Sequence, residues 1–499
     1  MSMIKVDSLT FAYPTSYDNI FENVSFQIDT DWRLGFVGRN GRGKTTFLQL
    51  LLGKYEYSGH ISAAVSFDYF PYEVADKNRL TVDILQELCS QAAEWELIRE
   101  LAWLQLGDDV LWRPFATLSY GEQTKALLAA LFLKPGNFLL LDEPTNHLDA
   151  PARELVSAYL RRKKGFILVS HDRRFLDNCV EHILAINRAN IEVQNGNFSC
   201  WLAGFEQRQQ SEQARQQQLH RDIKRLRQAA RRTADWSDKV EASKAGAYDK
   251  GFVGHKAAKM MQRAKNIAAR QQQALEEKAG LLQNQENAEP LKLWPLRHYA
   301  EVLVEFAEVG VEYAGQAGCQ PVSFCVRQGE RIVLTGANGS GKSSLLKLLV
   351  GQELPQAQIK GRVRTASGLV ISYVPQDTSF LRGSLHDFAL AQGVDETLFL
   401  AILRKLDFAR VQFGKDLAEL SAGQQKKVLL AKSLCEQAHI YVWDEPLNYV
   451  DIFSRLQLER LIGDFAPTML LVEHDLAFQE QVATGFVHLQ RPNAHSATI

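Results

Sequence analysis

Four short stretches occur twice in this 499-residue chain, in the same order. GRNGRGKT at 38–45 returns as GANGSGKS at 336–343, and LSYGEQTK at 118–125 as LSAGQQKK at 420–427. LLLDEPTNHLD at 139–149 returns as YVWDEPLNYVD at 441–451, and LVSHD at 168–172 as LVEHD at 471–475. The offsets run only from 298 to 303 residues. Ordered matches at one spacing mean a duplicated domain. The length also exceeds what one ordinary core accommodates. The expected architecture is therefore α/β: domains at 1–205 and 291–499, with something different at 206–290 between them.

The chemistry of each stretch follows from its residue types. G-x-x-x-x-G-K-[ST] lets backbone N–H groups close around phosphates at the start of a helix, whose N-terminus is itself positive. Strand-like WRLGFVG and RIVLTG precede the two loops, and helix-like TTFLQLLL and SSLLKLLV follow them. In the first copy the cradle is Gly38, Asn40, Gly41, Gly43, Lys44, Thr45 and Thr46. In the second it is Gly336, Asn338, Gly339, Gly341, Lys342, Ser343 and Ser344. Lys44 and Lys342 are expected to reach the β- and γ-phosphates of ATP, and Thr45 and Ser343 to ligate Mg²⁺. FLLLDE and IYVWDE are buried-strand runs ending in paired acids. Asp142 and Asp444 would hold the metal, directly or through water. Glu143 and Glu445 would polarise the attacking water, since a general base must sit within one water of the γ-phosphate. His171 and His474, each after an apolar strand, are placed to contact the γ-phosphate and that water.

LSYGEQ and LSAGQQ, each about 20 residues before its acidic strand, resemble the signature of ATP-binding-cassette (ABC) ATPases. In that family two cassettes stack head to tail. The resemblance implies one site from Gly38–Thr45 with Ser421 and Gly423, and a second from Gly336–Ser343 with Ser119 and Gly121. It also implies adenine-stacking roles for Tyr13 and Tyr313, and a role for Gln376 of SYVPQD beside the metal. Some positions depart from the pattern. Tyr72 of DYFPYE stands where glutamine is expected. Tyr120 and Ala422 replace the first signature glycine. Leu447 and Tyr449 replace the Thr and His of DEPTNHLD. Two inequivalent ATP sites are expected.

The segment between the domains is of another kind. It is rich in Gln, Ala, Lys, Arg and Glu, without proline until Pro290, and its apolar residues recur every three or four positions. That pattern predicts a long antiparallel α-helical hairpin with its tip near 241–256. Net charge is −1 overall, yet 221–270 holds 14 Lys/Arg against 5 Asp/Glu. Basic charge concentrated on a protruding element is a footprint of nucleic-acid binding. The six cysteines are scattered with no C-x-x-C pair, which argues against a zinc site or a disulfide framework. No signal-peptide core or uninterrupted apolar run of about 18 residues is evident, so a cytoplasmic protein with no membrane subunit is expected.

Two fused cassettes joined by a long basic helical linker resemble the ABC-F family of translation factors. FVGRNGRGKTT, ADWS and DEPLNYVD look most like its antibiotic-resistance group. The resemblance implies a monomer with intramolecular cassette pairing, acting at the E site of the 70S ribosome. Its linker would point toward the peptidyl-transferase centre, near 23S rRNA and P-site tRNA. The group protects ribosomes from lincosamides, streptogramin A and pleuromutilins. Many housekeeping members insert an arm in the first cassette. Here Tyr72 to Ser119 spans 47 residues and Gln376 to Ser421 spans 45, so no arm is present. The implied tip contacts are Lys244, Tyr248, Lys250, Phe252, Val253, His255, Lys256 and Lys259. A housekeeping translation factor and an ATPase subunit of a transporter are the alternatives.

Overall fold

A computed structural model describes residues 2–14, 19–146, 148–186, 191–211, scattered helical positions between 214 and 228, and 291–490 without 314–315, 318–319, 338, 356 and 409. The chain divides into two compact units, Met1–Ser199 with Pro290–Ile499, and Cys200–Glu289. Of the second unit the described positions are helical. The predicted hairpin return, its tip and the eight tip residues named above lie outside the described residues, as does Asn338.

The first unit holds both cassettes, and each is a parallel sheet beside an antiparallel one. In the first cassette, β1 (Met3–Phe11), β2 (Phe21–Asp29) and β4 (Ser58–Ser62) form the antiparallel sheet, in the order β2-β1-β4. The parallel sheet runs β5-β6-β7-β3-β8, from β5 (Ser66–Phe70), β6 (Asn137–Asp142), β7 (Phe166–Val169), β3 (Arg33–Val37) and β8 (His182–Ile186). An antiparallel β9 (Ile191–Asn195) closes its edge. The apolar runs in β6 and β7 follow from this position, since central parallel strands are covered on both faces.

The second cassette repeats the plan. β10 (Val302–Tyr313) centres an antiparallel sheet with β11 (Gln316–Ala317), β12 (Val322–Arg327) and β14 (Ala357–Thr365). Its parallel sheet is β15-β16-β17-β13-β18, formed by Ile371–Val374, Ile440–Asp444, Met469–Val472, Arg331–Thr335 and Gly485–His488. The buried cores lie between these sheets and their helices.

Helix starts are set by local chemistry. α1 (Lys44–Leu51) begins at Gly43 with φ 92°, a left-handed value that favours glycine. In the first cassette follow α2 (Thr81–Leu88), α3 (Glu94–Trp103), α4 (Tyr120–Leu131), α5 (Ala150–Leu160) and α6 (Arg173–Cys179). In the second, α7 (Lys342–Leu349) follows Gly341 at φ 85°, and then come α8 (Leu385–Ala391), α9 (Glu396–Lys405), α10 (Ala422–Cys435), α11 (Ile452–Phe465) and α12 (Leu476–Val482). Ser119 and Ser421 are the N-caps of α4 and α10, each in a capping box with the residue three positions on, Glu122 or Gln424. The spacing within LS-x-G-[EQ]-Q is thus also that of a helix start.

Candidate functional site

Both phosphate loops have the same local geometry. Lys44 Nζ donates to the carbonyls of Gly38 (2.7 Å) and Arg39 (3.2 Å), and Lys342 Nζ to those of Gly336 (2.8 Å) and Ala337 (3.0 Å). Each ammonium is held over its own loop. Burial pulls the Lys44 ammonium down, against the opposing charges of Asp451, Glu143 and Asp142. Thr45 Oγ1 donates to Asp142 Oδ2 (3.1 Å), and Ser343 Oγ to Asp444 Oδ1 (3.0 Å). The hydroxyl–carboxylate pair suited to a hard divalent cation is therefore assembled twice. Tyr13 and Thr46 hydroxyls lie 2.9 Å apart, as do those of Tyr313 and Ser344, so each tyrosine stands directly beside its phosphate loop.

These residues fit a nucleotide with Mg²⁺. In the second cassette Asp444 Oδ2 and the loop hydroxyl Ser340 Oγ are buried polar atoms with no hydrogen-bond partner, a costly state that a cation and a phosphate would relieve. Burial pushes Asp444 up to about 6, which binding of a cation would reverse.

Glu143 and Glu445 sit just past β6 and β16 with φ of 50° and 47°. Their N–H groups bond the carbonyls of Val169 and Val472, both at 2.9 Å, so the sheet ladder holds a strained left-handed residue at the same point in both cassettes. Their side chains differ. Glu445 accepts from Gln376 Nε2 (2.8 Å) and Asn448 Nδ2 (2.6 Å), with His474 Nε2 at 3.3 Å. Burial opposes its ionisation, but His474, Gln376 and Asn448 together hold it below the usual carboxylate range. Glu143 has His171 Nε2 at 3.4 Å without a hydrogen bond, and its Oε1 is buried without a partner. Burial, with Asp142 adding to it, pushes Glu143 up to about 8. His171 is itself held neutral by burial and by Lys44 and Arg455.

Gln376 thus meets Glu445 rather than the Ser343–Asp444 pair. In the first cassette Asp142 has, besides Thr45, a side-chain contact that the motifs did not single out: Tyr69 Oη donates to Asp142 Oδ2 at 2.9 Å. Its repeat partner Tyr373 has a buried hydroxyl with no partner. Tyr72 is 40% exposed and lines a cavity shared with Tyr120, Asp142 and Glu143.

The two phosphate loops each face the opposite cassette's signature. Asn40, Lys44, Thr45, Glu143 and His171 share a cavity of about 280 Å³ with Ser421 and Gly423. Lys342, Ser343, Tyr313, Glu445 and His474 share one of about 1090 Å³ with Ser119 and Gly121. The smaller site is laced across the cassettes. Asn40 Nδ2 donates to Tyr449 O (3.0 Å), and Arg39 pairs with Asp407 (3.7 Å) and lies 5.5 Å over the Phe453 ring. Arg173 donates to both carboxylate oxygens of Glu459, one bond at 3.1 Å, and Arg174 pairs with Glu480. The repeat partners of Arg173 and Glu459 are Leu476 and Ser157, which cannot pair ionically; they line a cavity of about 260 Å³.

The motif departures now have local reasons. In the first cassette Thr145 and Ser170 hydroxyls face each other at 3.3 Å. In the second, Leu447 and Glu473 replace them, and buried Glu473 accepts instead from the backbone N–H of Leu447 (3.2 Å) and His474 (2.7 Å). Asp451, with no exposure, bonds Lys427 Nζ at 2.7 Å, and Lys427 chiefly holds its carboxyl well below the usual range. No local pattern in the motifs pointed to Tyr69, Glu473, Lys427 or Arg173, because each acquires its partner only through the fold.

The pattern of the family described as ABC transporter matches residues 21–146 and 319–448. The chain belongs to the ABC family. It is 26% identical over 495 residues to the ribosome protection protein VmlR of Bacillus subtilis (strain 168), covering 95% of this chain and 84% of that one. It is also 26% identical to the energy-dependent translational throttle protein EttA of Haemophilus influenzae, covering 93% and 88%. An archaeal ribosome recycling factor, aABCE1, solved in complex with the ribosomal stalk protein aP1, has the same fold: TM-score 0.61 at 18% identity, covering 97% of this chain and 88% of that one. Among the described residues no helix is long and apolar enough to cross a membrane.

Proposed function

We propose that this chain is an ATP-hydrolysing ABC-F protein that binds the ribosome and protects it from antibiotics. The observation that carries the reading is that each phosphate loop shares a cavity with the other cassette's signature. ATP bound there touches both cassettes only when they are closed, so it biases the equilibrium toward closure. Mg²⁺, when bound, would supply charge stabilisation on the transferred phosphate. Thr45 with Asp142, and Ser343 with Asp444, are the residues that would hold it. Lys44 and Lys342 turn from their own loop carbonyls to the phosphates. Glu445, ionised and steered by Gln376 and Asn448, takes the proton of the attacking water in the second site. Glu143, which burial keeps protonated up to about pH 8, must first lose that proton to play the same part in the first site, with His171 and His474 beside the γ-phosphate.

The ribosome as partner is supported by the basic 221–270 segment and by the likeness to VmlR, a ribosome protection protein, and to EttA, a translational throttle protein. In this reading the closed form binds in the cytoplasm at the E site, Lys244, Lys250, His255, Lys256 and Lys259 meet RNA phosphates, and Tyr248, Phe252 and Val253 press near the P-site tRNA. Hydrolysis reopens the cassettes and permits release. A housekeeping role is the second reading, favoured by the equal identity to EttA.

The test is co-sedimentation of the Glu143→Gln/Glu445→Gln double variant with 70S ribosomes. Retention that requires ATP is expected. Equal recovery with and without ATP, or none at all, overturns the ribosome reading. Growth of expressing cells in lincosamide and pleuromutilin then separates protection from housekeeping.

A further inference from the structure

Three of the eight tryptophans, Trp95, Trp103 and Trp112, lie exposed in one segment of the first cassette, at 61%, 40% and 61%. Trp95 and Trp103 are on α3, eight residues apart, and Arg99 stands between them with its guanidinium 5.1 Å from one ring centroid and 5.4 Å from the other. The turn after α5 reads RRKK at 161–164 and adds two more cations to the Trp103 ring, Arg162 at 5.7 Å and Lys163 at 5.2 Å. Lys163 is pinned there. Its Nζ lies 2.6 Å from Glu100 Oε2, a carboxylate only 2% exposed, which also accepts from Tyr159 Oη at 2.6 Å.

The duplicated cassette is an internal control for what the fold requires. α9 has the length of α3 and follows it by 302 residues. Its residues at the ladder positions are Thr397, Ala401 and Lys405, and the RRKK turn is replaced by Gly463, Asp464, Phe465 and Ala466. Where the first cassette buries Glu100 with Tyr159 and Lys163, the second has Ile402, Leu461 and Phe465. The same helical packing is thus satisfied by apolar side chains. A buried ion pair is seldom more stabilising than such a replacement. Neither the charged trio nor the exposed indoles serve the fold.

We infer that this face of the first cassette is an RNA-binding surface, on which unstacked bases lie on Trp95 and Trp103 while Arg99, Arg161, Arg162 and Lys164 meet phosphates. Single-stranded RNA offers both π-faces and negative charge, which is the pair of features this surface presents together. An acidic polypeptide would use the cations and leave the indoles in water. The inference deepens the ribosome reading and rests on it only for which RNA is bound; the chemistry stands without it.

The experiment is anisotropy of a labelled single-stranded oligouridylate titrated with the full chain. The variants are Trp95→Ala/Trp103→Ala, Trp95→Phe/Trp103→Phe and Arg99→Glu/Arg162→Glu, each checked for an unchanged melting curve. The alanine pair should weaken binding about tenfold or more, since each stacked base contributes at that scale. The phenylalanine pair should keep most of the affinity, and the charge reversal should lower both affinity and its salt dependence. Unchanged binding by the alanine pair overturns the inference, assigning all RNA affinity to the basic linker. So does an oligoglutamate that competes as well as oligouridylate. Co-sedimentation of the Glu143→Gln/Glu445→Gln variant separates the two readings. Without ribosome retention, a loss of oligouridylate affinity in the alanine pair sustains this surface and sinks the ribosome reading. Retention with no such loss does the reverse.

Discussion

Asn40 in the first phosphate loop donates its side-chain amide to the backbone carbonyl of Tyr449 in the second cassette, across 3.0 Å. Tyr449 adopts φ 63°, an uncommon value for a non-glycine residue, which aims that carbonyl at the signature as well. A Cβ on Gly423 would lie 2.4 Å from the same oxygen. One carbonyl therefore locks loop and signature together at this site.

Gly423→Ala must displace backbone, so it should open the smaller site. ATPase activity should fall about tenfold or more. Activity equal to the parent's in Gly423→Ala would mean that this close approach has no functional weight.

Arg173 and Glu459 are both largely buried, and removing one partner strands the other's charge. Arg173→Ala should cost about 3 kcal/mol in urea unfolding. Arg173→Met/Glu459→Met should recover most of that loss, because a matched apolar pair can replace a buried ion pair. A double variant as unstable as the single one would count against the pairing.

Tyr69→Phe removes a donor from Asp142, while Tyr373→Phe removes a hydroxyl that has no partner. The first should shift the Mg²⁺ concentration for half-maximal ATPase several-fold. The second should leave it unchanged and slightly raise the melting temperature, since a buried unpaired hydroxyl is lost. Identical Mg²⁺ curves for Tyr69→Phe and the parent would refute the coupling.

The two catalytic-position glutamates should titrate in opposite senses in the nucleotide-free protein. Glu143 holds its proton up to about pH 8 when folded, but ionises near 4.5 when unfolded. Stability therefore drains as pH rises between those values. Glu143→Gln should remove that slope and raise the melting temperature by several degrees at pH 8, with little change at pH 5. Glu445 is held low, so its contribution is present above about pH 4.5 and is lost as pH falls below it. Glu445→Gln should lower the melting temperature at pH 7. Parallel curves for both variants would rule out this difference.

What the chain's sequence determined by itself was everything built from contiguous residues. The phosphate loops are legible because glycines, a lysine and a hydroxyl act through their own backbone within eight positions. The α/β class is legible because FLLLDE and IYVWDE can only be central strands. The duplication is legible because spacing survives divergence. Tertiary structure decided the rest. Arg173 meets a glutamate 286 positions away, and its repeat partner Leu476 has Ser157 in that place. Tyr69 reaches Asp142 only because β5 pairs with β6 in parallel register. The raised pKa of Glu143 and the lowered one of Glu445 arise from like motifs in unlike surroundings. Burial and partner distance set them, and neither quantity exists until the chain has folded.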